Sequence, residues 1–235
     1  MKILAIDSSS LVATVAILDE EKILAEYTIN HKKTHSQTLL PMLGEIVKMI
    51  ELDMNEIDAI AISGGPGSFT GLRIGSATAK GLGLALDKPL IHVPTLDAMA
   101  YNFYNTDGII CPIMDARRNQ VYTGLYEFAN GELKKILEQT PMAIDELIDK
   151  LNSINRKVTF LGDGVPVFRE IVEEKAIFEV DFAPAHLSRQ RASSVGALGM
   201  VYYEKDNTQT AAEHAPEYLR LSQAERELNE KKMDK

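Results

Sequence analysis

Ile3-Leu4-Ala5-Ile6-Asp7, then Ser8-Ser9-Ser10, then Val12-Ala13-Thr14-Val15-Ala16-Ile17-Leu18 is the stretch that decides the fold. An apolar run ends on a carboxylate, a hydroxyl-rich turn follows, and a second apolar, β-branched run returns. That pattern is strand, turn, strand. The scheme recurs at residues 109–115, a polar turn and residues 121–128, again with Asp closing the first strand (Asp115) and Val opening the second (Val121). A unit used twice predicts two related lobes, residues 1–107 and 108–235, joined near 106–108. Working outward, Asp19-Glu20-Glu21 turns into a third strand at 23–29. Thr34 with Gln37 has the form of a capping box. Leu39, Leu40, Leu43, Ile46, Val47 and Ile50 then recur at helical spacing, while Met42 and Met49 make this helix apolar on more than one face. Strands at 57–63 and 89–93 and helices at 70–86 and 95–104 complete the first lobe. The second continues with a helix at 144–151, a strand at 158–161 and the turn Gly162-Asp163-Gly164. A helix to 174, a strand at 177–180, a helix at 193–205 and a charged, exposed helix from Ser222 follow. Strands alternating with helices define an α/β layer, with antiparallel pairing expected only in the first meander.

Composition narrows the function. The chain has 235 residues, 45% of them hydrophobic, enough for a proper core. No apolar run reaches the ~18 residues of a membrane span, and Asp7 falls too early for a secretory leader. Lys+Arg 25 against Asp+Glu 34 leaves a net charge of −9, so tight nucleic-acid binding by this chain alone is not expected. The absence of Trp argues against base-stacking platforms. One cysteine, Cys111, excludes an internal disulfide and a Cys-based zinc cage, and fits a reducing, cytoplasmic setting.

Several residues could carry chemistry. Gly64-Gly65-Pro66-Gly67-Ser68 lies between a strand and a helix, where free N–H groups can cradle an anion. From spacing alone the same run reads rather as a strained turn packed against a neighbour; it is neither a P-loop nor a dinucleotide fingerprint. Asp7 with Ser8 and Ser9 could hold a hydrated magnesium ion beside a phosphate, or form a plain Asx turn. Asp7, Ser8, Ser9, Gly65, Gly67 and Ser68 are thus a candidate vestigial phosphate loop. Asp115 stands at the matching place, but Ala116-Arg117-Arg118 puts two bulky cations where a phosphate clamp needs glycine and a hydroxyl. In the second helix Gly71, Gly75, Ala79 and Gly83 form one ridge. Each glycine costs about 1 kcal/mol against alanine, which close approach of another helix, internal or from a second molecule, would offset. His31 and His35 have metal-ligand spacing, yet His31 falls before the helix, no third ligand is evident, and solvated histidines are expected. His92, His186 and His214 have no nearby nucleophile, and no Gly-x-Ser-x-Gly elbow is present.

Five stretches also carry a resemblance: Ile6-Asp7-Ser8-Ser9, His35-Ser36-Gln37-Thr38-Leu39-Leu40-Pro41, Gly-Pro-Gly-Ser-Phe-Thr-Gly-Leu-Arg-Ile-Gly at 65–75, Asp115-Ala116-Arg117-Arg118, and Pro216-Glu217-Tyr218-Leu219-Arg220. Together they resemble the TsaB (YeaZ) family along nearly the whole chain. The resemblance implies a two-lobed actin/Hsp70/sugar-kinase-like (ribonuclease H-like) fold, each lobe a mixed sheet with helices. It implies a non-catalytic partner of the subunit TsaD, acting with the ATPase TsaE on the tRNA adenosine beside the anticodon, with tRNA met through the complex. It also implies a contact through the first two helices, a homodimer when alone, and no cofactor of its own, a nucleotide being placed only at the partner interface. The interface residues expected on that basis are Leu39, Met42, Leu43, Ile46, Gly71, Leu72, Gly75, Ala79 and Gly83. No catalytic or metal-ligating residue is assigned. The competing readings are an ATP-dependent small-molecule kinase using Asp7 and the glycine turn, and a metallopeptidase using His31 and His35.

Overall fold

The computed structural model describes residues 1–220; the helix expected from Ser222 lies outside them. The first sheet contains β1 (Lys2–Asp7), β2 (Val12–Asp19), β3 (Ile23–Asn30), β4 (Ala59–Ser63) and β5 (Leu90–Val93) in the order β3-β2-β1-β4-β5. Its helices are α1 (His35–Met49), α2 (Phe69–Leu86) and α3 (Thr95–Ala100). The second sheet contains β6 (Ile109–Asp115), β7 (Gln120–Ala129), β8 (Glu132–Ala143), β9 (Val158–Leu161) and β10 (Val180–Phe182) in the order β10-β9-β6-β7-β8. With it go α4 (Ile144–Ile154) and α5 (Val165–Lys175); α6 (Ala192–Tyr203) comes last. Read from β8, the second order repeats the first strand for strand. In both sheets the first strand is antiparallel to the second and parallel to the fourth, with Asp7 opposite Thr14 and Asp115 opposite Val121.

Burial explains the apolar strands. Along β1, Leu4 and Ile6 pack toward α1 and α2, while Ile3 and Ala5 pack toward α6, so both faces of the sheet are covered. The second sheet has its own core with α4 and α5, built on Phe160, Leu147 and Val172. A smaller cluster of Leu96, Met99, Met114, Tyr126 and Leu161 joins the lobes. Beside it the fully buried Asp97 accepts hydrogen bonds from Tyr126 (2.9 Å) and Tyr202 (3.2 Å) and meets Lys135 Nζ at 3.0 Å. Burial and the Asp97 charge push the Tyr126 phenol well above its ordinary value.

The structure corrects several expectations. Antiparallel pairing is not confined to the first meander, because β8 makes a second one with β6 and β7. Nothing in the sequence flagged β8: Lys134, Lys135, Glu138 and Pro141 interrupt its pattern, which an edge strand with one solvated side tolerates. Thr34 precedes α1 without a side-chain cap, so the capping box does not form. The third helix ends at Ala100 and continues as a short 3-10 turn. The strand expected at 177–180 begins instead at Val180, with Ile177 exposed. A division at 107/108 separates the two sheets but not the cores. α6 packs on the first sheet, and Gln209 pairs with the β5 edge at Leu90, so the late part of the chain crosses back onto the first lobe.

The glycine ridge of α2 also finds its neighbour. A β-carbon on Gly71 would collide with the Ser8 carbonyl oxygen, one on Gly75 with the Ser8 hydroxyl, and one on Gly83 with Leu90. The offsetting contact is therefore internal, made chiefly by the turn after β1 and by β5, with only His35 at the start of α1 close to Gly71. Gly81, on the opposite side of the same helix, has nothing within 4 Å of its would-be β-carbon. Gly75→Ala is expected to cost ~1–3 kcal/mol by overpacking. Gly81→Ala should instead stabilise by about 1 kcal/mol through helix propensity alone. Urea unfolding of both variants checks the opposite signs.

Candidate functional site

The turn after β1 is built around a buried carboxylate. Asp7 is fully buried, and its Oδ1 accepts from the Ser9 amide (2.8 Å) and the Ser9 hydroxyl (2.7 Å), an Asx turn. Its Oδ2 has no hydrogen-bond partner among the described residues. Burial raises the Asp7 pKa above its ordinary 3.8, opposed by the Ser9 hydrogen bonds, by Ser63 and by the nearby His35. Ser8 donates its hydroxyl to the Gly71 carbonyl at 2.9 Å, tying the turn to α2.

His35, at the first position of α1, is not solvated as expected. It is buried, and its Nε2 lies 2.8 Å from the Ser10 carbonyl. A carbonyl can only accept, so Nε2 donates, and Nδ1 is buried without a hydrogen-bond partner among the described residues. His31 stays exposed, before the helix. With His35 committed to Ser10, the two do not form a chelating pair, and no group of three or more His, Cys, Asp or Glu among the described residues could hold a metal.

The glycine turn is closely packed. Gly65 has φ +121°, and its α-carbon faces the Glu217 carbonyl so closely that any side chain would collide; Gly67 lies as close to the Ser9 carbonyl. Four of the amides in and just after the turn are engaged. Gly64 donates to Val93 O (2.8 Å), Gly65 to Thr95 Oγ1 (3.2 Å), Ser68 to Ser9 O (2.6 Å) and Gly71 to Ser68 Oγ (3.3 Å). Close packing thus accounts for the glycines at 65 and 67, and these four amides are bonded within the chain.

The second lobe repeats the carboxylate turn with different contents. Asp115 Oδ1 accepts from the Arg117 amide at 2.8 Å, as Asp7 does from Ser9, and its Oδ2 meets the Arg117 guanidinium at 3.0 Å. Arg117, Arg118 and Asn119 all have positive φ, three consecutive residues in the left-handed region. Between the two turns lies a cleft of about 530 Å3, lined among others by Ser9, His35, Gly67, Asp115, Arg117 and Asp163. Burial raises the Asp163 pKa and the Asp115 charge adds to it, while the Asp115 amide and Arg189 oppose. Tyr218 and Arg220, on the last described segment, form part of the wall.

The residues expected at a partner interface are placed elsewhere. Leu39, Met42, Leu43, Ile46, Gly71, Leu72, Gly75, Ala79 and Gly83 are all buried within the chain's own first lobe. The outward faces of these helices consist of other residues. On α1 the exposed residues are Ser36, Gln37, Leu40, Pro41, Gly44, Glu45, Lys48 and Met49; on α2 they are Thr70, Arg73, Ala77, Gly81, Leu84 and Ala85. Met49 is 80% exposed and Leu84 72%, a large apolar exposure on neighbouring helices. The sequence held the signal for α2, since Ala77, Gly81 and Ala85 make a second small-residue row.

A family model described as "TsaD: tRNA N6-adenosine threonylcarbamoyltransferase" matches residues 22–228. The tRNA threonylcarbamoyladenosine biosynthesis protein TsaB of Bacillus subtilis is 35% identical over 227 residues, covering 96% of both chains. This chain belongs to the TsaB family. The solved YeaZ structure from Pseudomonas aeruginosa superposes with a TM-score of 0.79 at 25% identity, covering 93% of this chain and 99% of that one. An inorganic polyphosphate/ATP-glucomannokinase from Arthrobacter shares the fold at TM-score 0.50 and 10% identity, covering 87% of this chain and 99% of that one. The fold is thus the two-lobed sugar-kinase and actin-like one, while the family membership does not favour the kinase reading. Among the described residues of this TsaB-family chain, no helix is long and apolar enough to cross a membrane.

The Asp7 environment makes a pH prediction. A carboxyl whose folded pKa is raised by burial binds its proton more tightly when folded. Its ionisation therefore lowers stability as pH rises from the unfolded value through the folded one. Asp7→Asn keeps the Oδ1 acceptor and removes the ionisation. Its stability relative to the unsubstituted protein should improve as pH is raised from 4 to 7 in urea titrations, and a pH-independent difference would contradict the raised pKa.

Proposed function

We propose that this chain is the non-catalytic partner that activates a TsaD catalytic subunit in threonylcarbamoylation of the tRNA adenosine next to the anticodon. The observation that carries the reading is the outward face of α1 and α2, where Leu40, Met49 and Leu84 are exposed beside the small residues Gly44, Ala77 and Gly81. Such a face lets another helix pair approach closely and buries apolar surface when it does. The chain's match to the TsaD family model supports a partner of similar lobe architecture, whose own helices could meet this face in a pseudo-twofold arrangement. The same face would serve a homodimer when the partner is absent. TsaE joins the assembly in this reading, tRNA is held mainly by other subunits in keeping with the net charge of −9, and the setting is the cytoplasm. The chain needs no cofactor of its own; a nucleotide, where one is used, belongs to the partner interface.

The non-catalytic part of the proposal draws on the site chemistry. Asp7 is buried, the amides of the glycine turn named above are bonded internally, and the matching turn of the second lobe presents Arg117 and Arg118. These are poor arrangements for holding a phosphate in both lobes at once.

The test is a drop-out reconstitution. TsaD, TsaE and TsaC, the enzyme that supplies the threonylcarbamoyl adenylate, are combined with ATP, threonine, bicarbonate and tRNA, with and without this chain, and modified adenosine is quantified by mass spectrometry. Product is expected only with this chain present, and none when TsaD is omitted. Gly81→Glu, which puts a charge on the outer face at an uncrowded position, should fold normally yet reduce TsaD binding and product at least tenfold. Product indifferent to the chain, or full TsaD binding by the variant, would sink the reading.

A further inference from the structure

Residues 209–220 form no helix or strand of their own, yet Glu217, Tyr218, Leu219 and Arg220 line the cleft. The segment starts on the first lobe. Gln209 exchanges two backbone hydrogen bonds with Leu90 on the β5 edge, both 2.8 Å, and Ala211 and His214 are buried. Lys80 of α2 donates to the His214 carbonyl at 2.9 Å, and the Glu217 amide donates to the Gly64 carbonyl at 2.7 Å. Burial, with the neighbouring His92 and Lys80 charges, lowers the His214 pKa to about 4, so this anchor is neutral at physiological pH.

Past Glu217 the segment reaches in two directions. Tyr218 stacks on Phe69 at the start of α2, ring centroids 4.7 Å apart, and accepts a hydrogen bond from Arg73 Nε at 3.2 Å. Arg73 in turn lies 3.9 Å over the Phe69 ring. Toward the second lobe, Gln139 of β8 donates to the Glu217 carboxylate at 3.0 Å, and Arg220 donates to the Ala116 carbonyl at 2.8 Å, inside the turn that holds Arg117 to Asn119 at positive φ. The two sets of anchors differ in kind. Those on the first lobe include three backbone hydrogen bonds and the buried Ala211 and His214 besides the side-chain contacts of Lys80 and Tyr218, whereas those on the second are two side-chain hydrogen bonds alone, one of them exposed. Side-chain bonds of this sort are individually weak and can open without unfolding the sheet beneath.

We infer that residues 209–220 form a latch between the lobes, permanently seated on the first lobe and releasable from the second. Through Tyr218, latching orders the first turns of α2 together with the Asp115 turn. Contact made on Arg73, at the start of the outer α2 face, is thereby passed across the cleft to Ala116. This goes beyond the partner reading and does not depend on it.

Amide hydrogen exchange on the full-length protein tests the latch in both directions. Arg220→Ala removes the bond to Ala116 in the second lobe. It should speed exchange about tenfold in residues 115–121, the scale of one hydrogen bond to a charged group, and also speed exchange in residues 68–73 of α2. Tyr218→Ala, acting from the α2 side, should speed exchange in 115–121 as well, since coupling between two sites is reciprocal. Amides of β1 and β4 should be unchanged in both variants. Effects confined to the side that carries the substitution would show local anchors without coupling and overturn the latch. Loss of protection throughout the first sheet would make the segment an ordinary part of the core, and overturn it equally.

Discussion

The close approach of α2 to the turn after β1 is the contact on which the rest of the first lobe depends. Ser8 sits against the backbone of Gly71 and Gly75 and donates to the Gly71 carbonyl, a distance open only to residues without side chains. The helix accepts the propensity cost of two glycines at this contact and gains a fixed position against the sheet. That position sets three further features at once. It brings Ser68 against Ser9, packs His35 of α1 near Gly71 and against Ser10, and turns Arg73, Ala77, Gly81 and Leu84 toward solvent.

The two lobes share one plan and have diverged where they face each other. Asp7 and Asp115 each close the first strand of a sheet and each accept the amide two residues on. In the first lobe the turn is sealed by serines and by α2, leaving a carboxyl whose burial raises its pKa. In the second the turn opens outward, and its carboxylate is paired with the Arg117 side chain. The lobes are then held in register by Asp97 with Tyr126, Tyr202 and Lys135. Residues 209–220 bind them next to that cluster, with Gln209, Glu213 and Glu217 lining the same pocket as Lys135 and Tyr202. A duplicated domain with unlike turns and two crossings, one fixed and one releasable, is well suited to presenting an outer helix face, which is the role proposed for this TsaB-family chain.

Much of this was legible in the sequence, for local reasons. The strand–turn–strand opening and its repeat follow from alternation of apolar runs with turn residues, which any sheet of this kind requires. The family motifs at 65–75 and 115–118 fell on the two turns that border the cleft. β8 was missed because an edge strand tolerates lysines and a proline that a central strand would not. His35 was misread as solvated because a histidine at a helix start looks the same whether it meets water or the carbonyl of a distant turn.

By itself, then, the sequence determined the fold class, the duplication and the family, since periodicity, turn chemistry and motif spacing are carried by neighbouring residues. Only the tertiary structure decided which face of α2 is inside. Two rows of small residues four apart run along that helix, Gly71 to Gly83 and Ala77 to Ala85, and helical geometry treats them alike. The row that meets the Ser8 turn and β5 became core, and the other became surface. It also decided that α6 and residues 209–220 return to the first lobe. Such long-range choices are settled by which apolar faces are still uncovered when the chain arrives, and that is a property of the assembled sheet rather than of any segment in it.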